Sequence, residues 1–305
     1  MRGDEARLVK ERNAYKMLLA TNWQDYQVLD TGDGEKLERW GKYILRRPDP
    51  QVIWPKTLSI KEWEKADAFY TRSATGGGQW TYRNRLPESW QVGYGALSFR
   101  VKTMGFKHTG LFPEQAVNWD WMAKKVAGAG RPVRVLNLFG YTGGATVALA
   151  AAGAQVVHVD AAKNMVAAGK ENLQLSGLGD RPVRWIVDDC LKFVQREQRR
   201  GRQYEGILMD PPSYGRGPGG EVWKLENEVY GLIGECVKVL SDTPVFFLIN
   251  SYTTGLQSMV LYDLMQRAIV PKFGGKVSAD EIGLPVKDQN MLLPCGTTGR
   301  WEADR

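Results

Sequence analysis

The sequence predicts an α/β protein: a doubly wound parallel sheet with a C-terminal antiparallel hairpin, preceded by a smaller, mostly β N-terminal subdomain. Three observations carry this. From Arg131 onward the apolar runs VRVLNLF, AQVVHVD, VRWIVD, EGILMD and PVFFLIN alternate with stretches of helical periodicity. Strands separated by helices join through right-handed crossovers into a parallel sheet covered on both faces. After the last helical stretch, KVSADEIGLPV and QNMLLPCGTTGRW are extended segments about a DQN turn, suited to a closing hairpin. Before residue 103 the texture is one of short extended runs broken by Gly, Asp and Pro.

In chain order, residues 5–20 read as a surface helix, with Leu8, Tyr15, Leu18 and Leu19 roughly at helical spacing. YQVLD, the turn TGDGE, KYILRR and QVIWP follow as extended runs. TRSATGGGQWTYRNRLPESW reads as irregular and carries Arg72, Arg83 and Arg85, whereas ALSFRVKTM alternates like a strand. These define a helix plus β-rich, basic subdomain over 1–103 and a second domain over 104–305. Residues 114–126 are expected to form the helix leading into the second domain. Its later helices fall near 142–152, 163–176, 189–199, 224–240 and 255–270.

Composition narrows the function. With 43% hydrophobic and 25% charged residues among 305, the chain is of ordinary globular composition. No apolar run approaches the roughly 18 to 20 residues of a membrane span. The opening MRGDEARLVKERN mixes carboxylates with basic residues and does not read as a secretory signal. Cys190, Cys236 and Cys295 are far apart, and only His108 and His158 are present. The expectation is therefore a reducing, cytoplasmic setting with no disulfide framework, no metal and no membrane partner. Neither histidine lies near a GxSxG turn, which argues against a Ser–His–Asp hydrolase.

Net charge is +7, and it is uneven: residues 1–128 hold 21 Lys/Arg against 15 Asp/Glu, leaving 20 against 19 for the rest. Eight of the eleven tryptophans lie in the first 121 residues. A basic, aromatic-rich front half fits a polyanion-binding surface attached to a catalytic body. The alternative is that the tryptophans fill a small β-rich core and the charge keeps it in solution.

In doubly wound sheets the ligand lies at the carboxyl ends of the strands, beside the topological switch point. The first strand of the second domain runs into Asn137-Leu138-Phe139-Gly140-Tyr141-Thr142-Gly143-Gly144, where glycines let the backbone pass close to a ligand. Asp160 ends the second strand, placed to accept both hydroxyls of a ribose. Asp188-Asp189-Cys190 ends the third, where a carboxylate can accept an exocyclic amine of adenine and the next amide can reach a ring nitrogen. G-Y-T-G-G is not G-x-G-x-x-G, so the close pyrophosphate seat of a dinucleotide oxidoreductase is missing, and there is no P-loop. The fourth strand ends Asp210-Pro211-Pro212-Ser213-Tyr214-Gly215. Neither proline has an N–H, so the turn is stiff and offers acceptors only. Asp210 and these carbonyls can accept hydrogen bonds from an amino group, while Tyr214 can stack on a planar base.

On these motifs, residues 133–252 resemble a Rossmann-like class I S-adenosylmethionine-dependent methyltransferase. The nearest group is similar to the bacterial large-subunit ribosomal RNA methyltransferases I and K. GFKHTGLFPEQ at 105–115 is similar to the segment that family places before its catalytic domain. The resemblance implies S-adenosylmethionine as cofactor, with Thr109, Gly110, Glu114 and Gln115 bordering it. It implies that Asn137, Phe139, Tyr141, Thr142 and Gly143 line its methionine and ribose part, and that Asp160 holds the ribose. Asp189, with Asp188 and Cys190 beside it, would face the adenine, and Asp210 the methionine end and the target.

Two departures stand out. The RNA-binding module usual at the N-terminus of methyltransferase I is not recognisable, and residues 1–100 take its place. Methylating C5 of cytosine also needs a thiolate in the fourth-strand loop or just after the fifth strand. Those places read Pro212-Ser213 and Asn250-Ser251-Tyr252. Direct transfer to a nucleobase nitrogen, most naturally in ribosomal RNA, is therefore the expected reaction. Asp210, Pro211, Pro212 and Tyr214 would serve at the acceptor. Phosphate contacts are expected from Arg39, Arg46, Arg47, Arg72, Arg83 and Arg85, and a homodimer contact from the β-rich front. A small-molecule or protein acceptor, or non-catalytic binding of the cofactor or RNA, are the alternatives.

Overall fold

The computed structural model describes residues 17–73, 77–216 and 222–304. These fall into two compact units. One holds Leu19–Ala116 and Gly283–Pro294, the other Val117–Ile282 and the segment from Cys295 onward. The sequence-based border at 103/104 thus differs from the division at 116/117, for a physical reason. Residues 102–115 are tied back into the first unit: Lys102 N–H donates to the Thr109 carbonyl at 3.0 Å and Met104 N–H to that of His108 at 3.2 Å. Trp80 Nε1 donates to the Met104 carbonyl at 2.8 Å and Trp23 Nε1 to that of Pro113 at 2.9 Å.

In the first unit, β2 (Tyr26–Gly32), β3 (Glu35–Trp40), β4 (Tyr43–Pro48), β5 (Ala68–Arg72) and β6 (Gly78–Tyr82) form one sheet in that order. β7 (Trp90–Tyr94) and β8 (Leu97–Val101) pair as a separate hairpin. Two expectations change here. QVIWP is not a strand, and the stretch read as irregular contains the end of β5 and all of β6, which pair antiparallel. Its residue alternation is masked by glycine and polar side chains because β6 is an edge strand, where packing asks little of the sequence. Leu37, Trp63 and Ala66 are buried together, and the Asp30 carboxylate is fully buried. That carboxylate accepts the Thr57 and Leu58 N–H groups, the Trp63 indole and the Gln289 amide; against the penalty of burial, the bonds from Gln289, Leu58 and Trp63 hold its pKa below the ordinary value.

The second unit carries the long sheet. Its parallel strands are β9 (Arg134–Leu138), β10 (Gln155–Asp160), β11 (Val183–Val187), β12 (Gly206–Met209) and β15 (Phe246–Ser251). A short hairpin, β13 (Tyr214–Arg216) with β14 (Val222–Lys224), lies between β12 and β15 in the chain. β16 (Lys276–Pro285) and β17 (Leu292–Glu302) form the expected C-terminal pair, and β17 runs antiparallel to β15. The order is β1-β16-β17-β15-β12-β9-β10-β11, with β1 at Met17–Leu19. The helix expected over 5–20 is corrected at its end, where Met17–Leu19 extends the sheet edge; residues 5–16 lie outside the described residues.

The crossover helices sit close to their expected places: Gly144–Ala151, Lys163–Leu175, Cys190–Arg199, Leu225–Val237 and Ser258–Ala268. A 3-10 turn, Pro113–Gln115, precedes the helix Ala116–Gly128. Pro113 has no N–H to give to a helix, so the turn starts there and the regular helix one turn later. One sheet face buries Leu136, Leu138, Ile207, Met209, Phe247 and Ile249 beneath Phe193, Val229, Leu232, Ile233, Leu261 and Met265. Strand alternation then sends Asn137, Leu208, Leu248 and Asn250 to the opposite face. The winding reverses between β9 and β12, which puts the loops after Leu138 and Met209 at the switch point.

Candidate active site

The loop after β9 is held in a conformation ordinary residues avoid. Phe139 (φ 56°), Tyr141 (φ 50°) and Gly143 (φ 80°) are all in the left-handed region. Gly140 has no room for a side chain: a Cβ there would lie 2.3 Å from the His158 ring. Two non-glycine residues at positive φ cost energy, and such strain persists only where surrounding contacts enforce it. Asp160 supplies them. Its Oδ2 accepts Tyr141 N–H at 2.9 Å and its Oδ1 accepts Ala162 N–H at 2.8 Å. Gly143 caps the helix Gly144–Ala151, and the Thr142 carbonyl accepts the Asn172 amide at 2.9 Å.

This arrangement fits the nucleoside part of S-adenosylmethionine. An ionised carboxylate accepts about four hydrogen bonds. Asp160 uses one per oxygen on backbone N–H groups, which fixes its orientation and leaves acceptor capacity for a ribose diol.

Other expected residues do different work. The Asn137 side chain is engaged beneath the loop: its Nδ2 donates to Thr146 Oγ1 at 2.8 Å, and that hydroxyl meets His158 Nδ1 at 2.9 Å. His158 is fully buried, and burial drives its pKa down to about 3, so it is a neutral prop beneath Gly140. The Cys190 thiol is buried under the loop, where Sγ receives Phe139 N–H at 3.3 Å. Burial pushes its pKa upward, and it supports the turn rather than lining a pocket. Asp189 Oδ1 caps the helix Cys190–Arg199 by accepting Lys192 N–H at 2.8 Å, and Asp188 pairs with Arg196. Both carboxylates thus have structural partners on one side.

The loop after β12 begins at Asp210, whose N–H donates to the Leu138 carbonyl at 3.4 Å, continuing the ladder toward β9. Pro211 is buried and Pro212 exposed. The Pro212 carbonyl, expected to face the acceptor amine, is taken by Trp223 Nε1 at 2.7 Å. Tyr214 opens β13 and is 51% exposed. Ser213 Oγ accepts Thr253 Oγ1–H at 2.7 Å, joining this loop to the one after β15.

Sequence reasoning missed Trp223, which sits beside a glycine-rich stretch with nothing to mark it. It also missed Asn118 and Arg300, which meet across 182 residues of chain. Thr109, Glu114 and Gln115 belong to the first unit and are all buried there; Gly110 has φ 92°.

Among the arginines expected to meet phosphate, Arg47 is 5% exposed and forks onto Glu38. Arg39 donates to the Gly41 and Gln24 carbonyls, Arg46 to Glu35 and Arg83 to the Glu64 carbonyl. Arg72 and Arg85 are exposed. No group of three or more His, Cys, Asp or Glu among the described residues could hold a metal, and no described helix is long and apolar enough to cross a membrane.

The sequence model of the family described as S-adenosylmethionine-dependent methyltransferase matches residues 70–224. A crystal structure of the SAM-dependent methyltransferase from Agrobacterium tumefaciens is 37% identical, with a TM-score of 0.89 over 94% of this chain and 93% of that one. SMU.776 complexed with SAH has the same fold, with a TM-score of 0.68 at 19% identity over 97% of this chain and 79% of that one. Ribosomal RNA large subunit methyltransferase K/L of Shewanella frigidimarina is 33% identical over 160 residues, 52% of this chain and 22% of the relative. The Shewanella baltica protein of that name is 32% identical over 152 residues, 49% of this chain and 20% of the relative. The chain thus spans about a fifth of the length of these curated relatives.

Proposed function

Because this chain belongs to the S-adenosylmethionine-dependent methyltransferase family, we propose that it methylates a nitrogen of a nucleobase, in ribosomal RNA. S-adenosylmethionine is its cofactor and supplies an electrophilic methyl group on a sulfonium. The carrying observation is the order along the chain after β12: Asp210 directly after the strand, the two prolines, and then Tyr214, 51% exposed at the start of β13.

In this reading Asp160 accepts the ribose hydroxyls and Asp189 the adenine amine, while the Phe139–Gly143 backbone curves around the cofactor. Asp210 and the Pro211 carbonyl accept the N–H bonds of the target amine and so aim its lone pair. Tyr214 stacks on the base, a contact worth about 1–3 kcal/mol in single-stranded recognition. Alignment is the main demand on the protein, since transfer removes positive charge from sulfur. Both histidines are held neutral, with pKa values of about 4 for His108 and about 3 for His158, so neither suits general-base work at neutral pH.

RNA as acceptor rests on the relatives' names, on the basic front of the chain and on exposed Arg72 and Arg85. Residues 1–103 would provide that surface and a self-association contact, and the setting would be cytoplasmic.

The test uses purified protein, methyl-tritiated S-adenosylmethionine and ribosomal RNA from cells lacking this gene. Nuclease-sensitive labelling that Asp210→Ala abolishes, with the fold intact, is the expected result. Labelling retained in Asp210→Ala would overturn the role of Asp210. Labelling that resists nuclease would redirect the search to protein acceptors.

A further inference from the structure

Beneath the carboxyl end of β15 lies a buried polar chain that neither the cofactor nor the acceptor reading uses. Arg300, on β17, is 8% exposed. Its Nε and Nη2 donate to Asn118 Oδ1 at 3.0 and 2.6 Å, and Nη2 also to the Val117 carbonyl at 3.2 Å. Its guanidinium lies over the Trp121 ring at 5.1 Å. Asn118, on the helix Ala116–Gly128, donates through Nδ2 to Asn250 Oδ1 at 3.0 Å. Thr298 Oγ1 donates to the same Asn118 oxygen at 3.4 Å.

The cation is costly where it stands. Its hydrogen-bond partners are neutral oxygens, and burial lowers its pKa to about 10, with Asp280 offsetting this only by coulombic attraction. A buried guanidinium facing neutral acceptors is a poor way to gain stability.

It is, however, a good way to set direction. A guanidinium only donates. Asn118 must therefore turn its oxygen to Arg300, which sends its NH2 to Asn250. Asn250 must then turn its oxygen to Asn118, which sends its own NH2 the other way. That direction is defined by the sheet. β12 and β15 pair in parallel, with Met209 opposite Ile249, so Asp210 and Asn250 come next on neighbouring strands and share a face.

We propose that Arg300, through Asn118, fixes the Asn250 amide with its N–H groups toward Asp210, making all three positioning residues for the methyl acceptor. A donor fixed beside Asp210 would orient its carboxylate toward the target amine. The inference rests on Asp210 serving the acceptor.

Asn118→Asp isolates the effect. A carboxylate still accepts from Arg300 and gives it a counter-charge, so the unfolding midpoint should stay at or above that of the natural protein. It cannot donate to Asn250, whose amide then reverses. The affinity for S-adenosylhomocysteine, by calorimetry, should stay within about twofold, while kcat for transfer to ribosomal RNA falls about tenfold or more, as expected for a lost hydrogen bond to a charged group. Arg300→Lys, which keeps a donor, should retain more transfer than Arg300→Met. In 15N spectra the Asn250 NH2 resonances, assigned by their loss in Asn250→Ser, should move in Asn118→Asp.

Unchanged transfer in Asn118→Asp overturns the proposal, as does equal transfer in the Lys and Met variants should Asn118→Asp fail to fold. If the natural protein labels no RNA, the acceptor reading fails separately. The Asn250 resonances then decide alone, a shift supporting the relay and no shift overturning it.

Discussion

Trp223 closes the turn after β12 by donating its indole N–H to the carbonyl of Pro212 at 2.7 Å. Its ring meets that of Phe139 with centroids 5.8 Å apart and planes tilted by 47°. One side chain thus links the loop after β12 to the strained loop after β9, on either side of the switch point. Trp223→Phe keeps an aromatic ring and removes the N–H. The expected cost is about 1 kcal/mol of stability, the net worth of a typical hydrogen bond, measured by denaturant unfolding. Methyl transfer should fall further than S-adenosylhomocysteine affinity, because the proposed reading assigns the Pro212 turn to the acceptor. Wild-type values in both assays would show that Trp223 only packs.

Gly140 and His158 form a tight steric pair. A Cβ at 140 would lie 2.3 Å from His158 Cε1 and 2.5 Å from Nδ1, and the ring is bonded through Nδ1 to Thr146. Gly140→Ala should destabilise by about 1–3 kcal/mol, the usual cost of overpacking, and weaken S-adenosylhomocysteine binding. His158→Ala removes the obstacle, so the double variant should lose less stability than the two single losses combined. Simple additivity in a double-mutant cycle would place the strain elsewhere.

Acid should weaken the fold through both histidines. Burial lowers His158 from 6.5 to about 3, and burial with Arg47, Lys107, Lys36 and Arg72 lowers His108 to about 4. A depressed histidine pKa means that the unfolded chain takes up the proton first as pH falls. The stabilisation is complete above about 6.5 and drains away toward 4 for His108 and toward 3 for His158, by at most about 1.4 kcal/mol per pH unit for each proton. Glu38, lowered from 4.5 to about 2 against burial by Arg47 and Lys36, adds a loss below 4.5. Urea midpoints at pH 7, 6 and 5 should fall in that order. A flat profile would mean that the two rings are solvated in the folded state.

What the sequence revealed follows from the range of the interactions involved. Alternating strand and helix periods are local signals, so the doubly wound sheet and the switch-point loops were legible. The place of Asp160 at the end of β10 was legible too, as a carboxylate closing the strand after the glycine turn. Asn137 was not, because a residue at a strand end can face either the ligand or the neighbouring helix, and the alternation of Leu136 and Leu138 into the core sends it to Thr146. Cys190 follows a helix-capping aspartate, and nothing local says whether its thiol goes up to a ligand or down beneath Phe139. Arg300 and Asn118 depend on β17 pairing with β15, a long-range register that no short window of sequence contains.

Arginine number alone misleads about RNA contacts, and Arg47 shows why. Its guanidinium forks onto Glu38 at 2.6 and 2.8 Å, both groups are buried, and Tyr26 donates to the same carboxylate at 2.6 Å. Glu38→Gln or Arg47→Ala leaves a buried polar partner uncompensated and should cost about 3–5 kcal/mol of stability. Arg72 and Arg85 are exposed, so Arg72→Ala and Arg85→Ala should change stability by no more than about 0.5 kcal/mol. Each should instead weaken binding of ribosomal RNA fragments and lower the slope of log affinity against log salt by about 1, the signature of one lost phosphate contact. Filter binding across a salt series reads this directly. If neither variant changes the slope while Arg46→Ala or Arg83→Ala does, the phosphate path runs over arginines that exchange their protein partners for RNA.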